Sequence, residues 1–131
     1  MKNKKDSYVC NSSVATYDYI KKKIKIEKLE VEKFGIILLN NKLDVLDFDI
    51  ISLGGMTSTI LDLKVIFKKA LNTFRCTGFI TFHNHPSNNA KPSENDNNLY
   101  KKIKAAAETM EFKYLDNLIV CDDEYYSYED N

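Results

Sequence analysis

The chain is poor in several things, and each scarcity narrows what it can be. It has three cysteines, Cys10, Cys76 and Cys121, far apart and with no Cys-x-x-Cys pair. That spacing argues against a disulfide scaffold and against a zinc ribbon. Cys76 and Cys121 flank apolar segments and read as buried thiols. No apolar run approaches the ~20 residues that a membrane-spanning helix needs. The basic start, Met1-Lys2-Asn3-Lys4-Lys5-Asp6, is not followed by an apolar signal segment, so a cytoplasmic location is expected. Charge of one sign is missing too: nineteen Lys and Arg face nineteen Asp and Glu. Direct nucleic-acid binding is not supported by that balance. The run Lys21-Lys22-Lys23, with Lys25 and Lys28, reads as a solvated helix face rather than a phosphate-binding patch. Histidine is scarce as well, with only two residues.

What is present is enough for one soluble domain. The chain has 131 residues, 44% hydrophobic and 29% charged, with a mean hydropathy of -0.39. Residues 1–27 read as a polar segment and a leading helix ahead of a main domain at 28–131. Ser12 or Ser13 can cap that helix, with Val14, Tyr17, Ile20 and Ile24 at helical spacing over 14–26. Strands are expected at 33–39 and 43–53, joined by a turn in which Asn40-Asn41 suits positive φ angles and broken by Gly54-Gly55. A helix over 59–73 follows. Then come a strand at 78–85, a long helix at 93–110, a strand at 114–121 and a short last strand at 125–128. This order predicts a three-layer α/β/α sandwich around a mixed sheet.

Both histidines, His83 and His85, follow the apolar run Gly78-Phe79-Ile80-Thr81-Phe82. Side chains two apart on a strand share a face, so the imidazoles project together. Two imidazoles, a carboxylate and an open position suit a catalytic zinc ion, and Asp96 can supply the carboxylate. Asp96 has a rival role. Ser93-Glu94-Asn95-Asp96 also fits a capping box at a helix start. The presence of the histidines favours Asp96 as a ligand. Ser93 can start the helix while its hydroxyl faces the site. Pro86 and Pro92 stiffen the intervening loop. Asn84 and Ser87 read as loop-shaping residues.

The string His-x-His, seven residues, Ser, two residues, Asp resembles the JAMM motif of the JAB-domain (MPN-plus) hydrolases. His83-Asn84-His85-Pro86-Ser87 with Pro92-Ser93 and Asp96 is similar to the RadC-like branch. Further similar stretches are Glu32-Lys33-Phe34-Gly35, Ser52-Leu53-Gly54 and Leu115-Asp116-Asn117-Leu118-Ile119-Val120, so the resemblance covers roughly 28–130. It implies a JAB/MPN, cytidine-deaminase-like architecture and a Zn2+-dependent hydrolase of peptide or isopeptide bonds. His83, His85 and Asp96 would hold the metal and Glu32 would act as general base. The Ser93 hydroxyl would donate to the oxyanion. Glu27 and Glu30 compete with Glu32 for the base.

The chain departs from the family pattern in three places. Asn88 stands where the family has Gly, Asp62-Leu63-Lys64-Val65 where it has Pro-Arg-Glu, and Asn117 where it has a late His. The rival reading is a non-catalytic JAB-fold accessory module associated with DNA repair or nucleic-acid complexes. A zinc deaminase lacks its His/Cys-x-Glu and Pro-Cys-x-x-Cys here, and a cysteine hydrolase lacks a spare histidine.

Overall fold

The computed structural model describes residues 7–53 and 61–131. The chain runs α1 (Ser13–Tyr19), a π-helical turn (Ile20–Ile24), β1 (Lys33–Leu39), β2 (Val45–Leu53), α2 (Leu63–Asn72), β3 (Gly78–Asn84), α3 (Glu94–Met110), β4 (Lys113–Val120) and β5 (Tyr125–Ser127). The five strands form one sheet in the order β2-β1-β3-β4-β5. β1 pairs antiparallel with β2 and β3, β3 pairs parallel with β4, and β4 pairs antiparallel with β5. The parallel step needs a crossover, which α3 supplies.

Central position explains the apolar runs at 34–39 of β1 and 78–80 of β3. Covered on both faces, they have no polar alternation to show. Phe34, Ile36 and Leu38 face one way and pack with Ile66 of α2 and Ile103 of α3. Ile37 and Leu39 face the other way and pack with Tyr17, Tyr19 and Ile20. The leading helix therefore shares a core with the sheet, and the three layers of an α/β/α sandwich are present. In β3 the same alternation sends Phe79 toward α2 and α3, and Ile80 and Phe82 toward α1. His83 continues the Phe79 side.

Three local details differ from the expected pattern. The first helix does not run unbroken over 14–26. It becomes π-helical at Ile20, with Lys25 N–H donating to the Ile20 carbonyl at 2.7 Å, and it ends at Lys25 with φ 62. The wider turn lets both Ile20 and Ile26 enter the core. In the β1–β2 turn the positive φ falls on Leu43 rather than on the asparagines. Asn40 serves the turn with its side chain, whose Oδ1 accepts from the N–H groups of Lys42 and Asp44. The second helix, expected over 59–73, begins only at Leu63, where Asp62 caps it by accepting from Lys64 N–H at 2.9 Å. Gly54-Gly55 and the first two positions expected in the helix at 59–73 lie outside the described residues.

Gly35 is required by packing. A Cβ there would collide with the Phe82 ring and the Asp49 carbonyl oxygen. The β1–β2 register shifts at this point, between Phe34 and Gly35. The close approach seats Phe34 directly opposite His83.

Candidate metal centre

The C-terminal end of β3 meets the N-terminal end of α3, and four side chains converge there. Glu32, His83, His85 and Asp96 each offer a ligand atom, and these atoms lie within 4.8 Å of one another. His83 comes from the last turn of the β3 alternation, with its ring stacked on Phe34 at 5.8 Å. His85 lies just past the strand, its N–H donating to the Val120 carbonyl. The two imidazole rings are 5.0 Å apart. Asp96 reaches up from the first turn of α3, and Glu32 sits immediately before β1. Glu30, the competitor, is exposed and is not part of the group. Glu27 is also outside it.

The two roles considered for Asp96 coexist. Ser93 Oγ accepts from Asp96 N–H at 3.0 Å, and Asp96 Oδ2 accepts from Ser93 N–H at 2.8 Å, a complete capping box. The same carboxylate lies 3.1 Å from His83 Nε2 through Oδ1 and 3.1 Å from His85 Nε2 through Oδ2. The cap thus fixes the carboxylate in the orientation that faces both rings. Ser93 itself is exposed at the helix start.

His85 is oriented from behind: its Nδ1 lies 2.8 Å from the Asn89 carbonyl. A carbonyl only accepts, so this contact places the proton on Nδ1 and leaves Nε2 facing the cluster. His83 is only 3% exposed, and neither ring nitrogen has a hydrogen-bond partner. Its 3.1 Å approach to Asp96 is close enough for attraction but too poorly aligned for a hydrogen bond. Buried polar nitrogens are almost always partnered. An unpartnered Nε2 directed into a ring of anionic oxygens and a second imidazole is what a divalent cation would satisfy, so the residues present fit a metal ion.

Electrostatics agree with that fit. Burial pushes the Asp96 carboxyl up, but the His83 and His85 rings and the Ser93 N–H outweigh it and hold Asp96 below the usual carboxylate range. The Asp96 carboxylate raises His85, against the opposing effect of burial.

The surrounding loop keeps its turn despite the departures. Asn88 adopts φ 61, and its Oδ1 accepts from Asp122 N–H at 3.1 Å. Asn117 donates through Nδ2 to Thr81 Oγ1 at 2.6 Å, and its buried Oδ1 lacks a partner. Asn84 differs from its reading as a loop residue. It ends β3 and is fully buried, with its side chain turned to the backbone ahead of β1. Nothing in the residue types signals that role, because its partners are backbone groups.

The model of the RadC-like JAB domain matches residues 10–131. The chain belongs to the RadC-like JAB domain family. It is 41% identical over 105 residues to a UPF0758 protein of Flavobacterium johnsoniae, covering 80% of this chain and 45% of that protein. It is 34% identical over 114 residues to a UPF0758 protein of Psychrobacter cryohalolentis, covering 87% and 49%. It is 34% identical over 103 residues to one of Porphyromonas gingivalis, covering 78% and 45%. The chain spans about half the length of the curated relatives it matches, and their names state no activity. No helix among the described residues is long and apolar enough to cross a membrane.

Proposed function

We propose that this JAB domain is a zinc-dependent hydrolase that cleaves an amide bond in a peptide, an isopeptide or another amide conjugate. The observation that carries the reading is the unpartnered, buried His83 Nε2 converging with His85, Asp96 and Glu32. His83, His85 and Asp96 would hold the ion. Bound zinc lowers the pKa of a water to about 7 and polarises a carbonyl. Glu32, at the rim of the same cluster, accepts the proton of the attacking water and returns it to the leaving amine. The Ser93 hydroxyl accepts from Asp96 N–H, which leaves its own proton to donate to the developing oxyanion. Ser93 is not a nucleophile, because both histidines are committed to the metal. We place the protein in the cytoplasm, where a charge-balanced domain of this kind would meet peptide or conjugate substrates.

The test is metal analysis of the purified protein together with cleavage of a peptide library and of amide conjugates. The expected result is one zinc per chain and cleavage that falls steeply in Glu32→Gln while the zinc remains. A protein that holds zinc and cleaves nothing in either screen would favour the non-catalytic accessory module.

A further inference from the structure

On the side of β3 away from the two histidines, Asn84 is fully buried. A buried amide must find partners for its N–H groups and its carbonyl. Here they all come from the segment that enters β1. Oδ1 accepts from Lys33 N–H at 2.6 Å. Nδ2 donates to the Val31 carbonyl at 3.0 Å and reaches the Leu29 carbonyl at 3.5 Å. These bonds straddle Glu32.

Besides these bonds, the segment is held by Leu29, packed on the core, and by Lys33, which pairs with Leu53 of β2. The β1–β3 ladder ends at the pair Phe34 and His83. Val31 is 53% exposed and Glu30 is exposed. An exposed chain entering a strand frays readily. Yet the Glu32 carboxylate must stay within 4.8 Å of the other three ligand groups to take part in their chemistry. The Asn84 amide stands where the next rung of the ladder would be.

We propose that Asn84 is the positioning residue for Glu32, fixing the backbone on either side of it so that the carboxylate stays at the metal centre. The tripeptide His83-Asn84-His85 then serves both faces of the sheet. Its outer residues face the ion, and its middle residue secures the segment carrying the base. A small displacement of a catalytic group is costly, so such a clamp affects the reaction without touching substrate. The inference rests on the reading of Glu32 as the base, and its test separates the two.

The full chain, with 13C-labelled glutamate carboxyls and 15N-labelled imidazoles, is titrated with Zn2+ alone and followed by NMR. In the wild type, the Glu32 carboxyl and both imidazoles are expected to shift together. In Asn84→Ala the imidazoles still shift, but the Glu32 response is lost and resembles that of exposed Glu30. Asn84→Asp keeps the acceptor for Lys33 N–H and loses the donor to Val31, so its Glu32 response falls between the two. A general loss of stability would not single out Glu32 in this way. An undiminished Glu32 response in Asn84→Ala overturns the positioning role alone. A silent Glu32 beside responding imidazoles in the wild type overturns the base reading, and the positioning role with it. Should Asn84→Ala fail to fold, amide exchange in the wild type decides. Lys33 N–H is expected to exchange as slowly as the ladder amides of β1, and exchange at the rate of an exposed loop amide overturns the clamp.

Discussion

Asp96 and Asp116 sit on opposite faces of the same sheet, both largely buried, and their carboxyl groups are driven in opposite directions. Burial pushes both up. At Asp96 the imidazoles of His83 and His85 outweigh it. At Asp116 the partners are a hydroxyl and two amides: Ser127 Oγ at 2.5 Å, Asn117 N–H at 2.8 Å and Glu129 N–H at 3.0 Å. These offset burial only in part, and the Asp116 carboxyl remains raised. Neutral donors suffice to pin a structure, and Asp116 ties the C-terminal turn to β4 with them. Convergence with imidazoles does something else. It keeps Asp96 ionised and leaves a nitrogen of His83 without a partner, which is the condition for binding a cation.

The sharpest way to break the comparison is to remove the imidazoles. His83→Ala with His85→Ala is expected to abolish zinc binding, and metal content by mass spectrometry checks it. Full occupancy in the double variant would place the site elsewhere. Asp96→Asn should lower zinc affinity by more than about 100-fold, beyond the usual cost of losing an outer-shell partner. Asp116→Asn should leave affinity unchanged in the same competition assay. Next in size is Glu32→Gln, which should keep zinc and cut amide hydrolysis by roughly 10²–10⁴-fold, the range for a lost general base. Glu30→Gln should do little, because its side chain lies outside the cluster.

How far the sequence reveals this architecture depends on the kind of interaction. Strands covered on both faces announce themselves by unbroken apolar runs, and β1 and β3 are found where those runs lie. The meeting of His83, His85 and Asp96 follows from strand alternation and a short loop. Glu32 lies about fifty residues away in sequence, and no local rule brings it to the histidines, so only the family resemblance pointed to it. The π-helical turn was not legible, because Ile20 and Ile24 satisfy helical spacing whether the hydrogen bonds span four residues or five. Nor was the part played by Asn40, whose carbonyl side chain shapes the turn while Leu43 takes the left-handed angle. Asn84 escaped notice because its partners are backbone groups, which leave no pattern in the residue types.

The structural side of the comparison is sharpened by truncating Asp116. Asp116→Ala strips partners from Ser127 Oγ and from the Asn117 and Glu129 N–H groups. Buried donors left without acceptors cost about 1–3 kcal/mol. Denaturant unfolding of the zinc-free protein is expected to show that loss, with zinc affinity preserved once the protein is folded. A variant as stable as the wild type would mean that water replaces the carboxylate at no cost.

The smallest effect is the most direct test, because it reads the sign of each shift. Both aspartates start from an unfolded value near 3.8. Asp96 is depressed in the folded state, so its stabilisation is complete above 3.8 and is lost as pH falls through the folded value. Asp116 is raised, so its contribution is complete below 3.8 and is lost as pH rises through the folded value. The neutral isosteres isolate the two terms in zinc-free protein. The stability of wild type relative to Asp96→Asn should shrink on acidification below 3.8, and that relative to Asp116→Asn should grow as pH is lowered toward 3.8. His85 adds to the first comparison. Its value is raised by Asp96, so its share is complete below 6.5 and fades as pH rises through the folded value. Unfolding free energies measured across the acid range therefore slope in opposite directions for the two aspartates. Slopes of the same sign would mean that the imidazoles do not hold Asp96 ionised, and the contrast between a ligand carboxylate and a structural one would collapse.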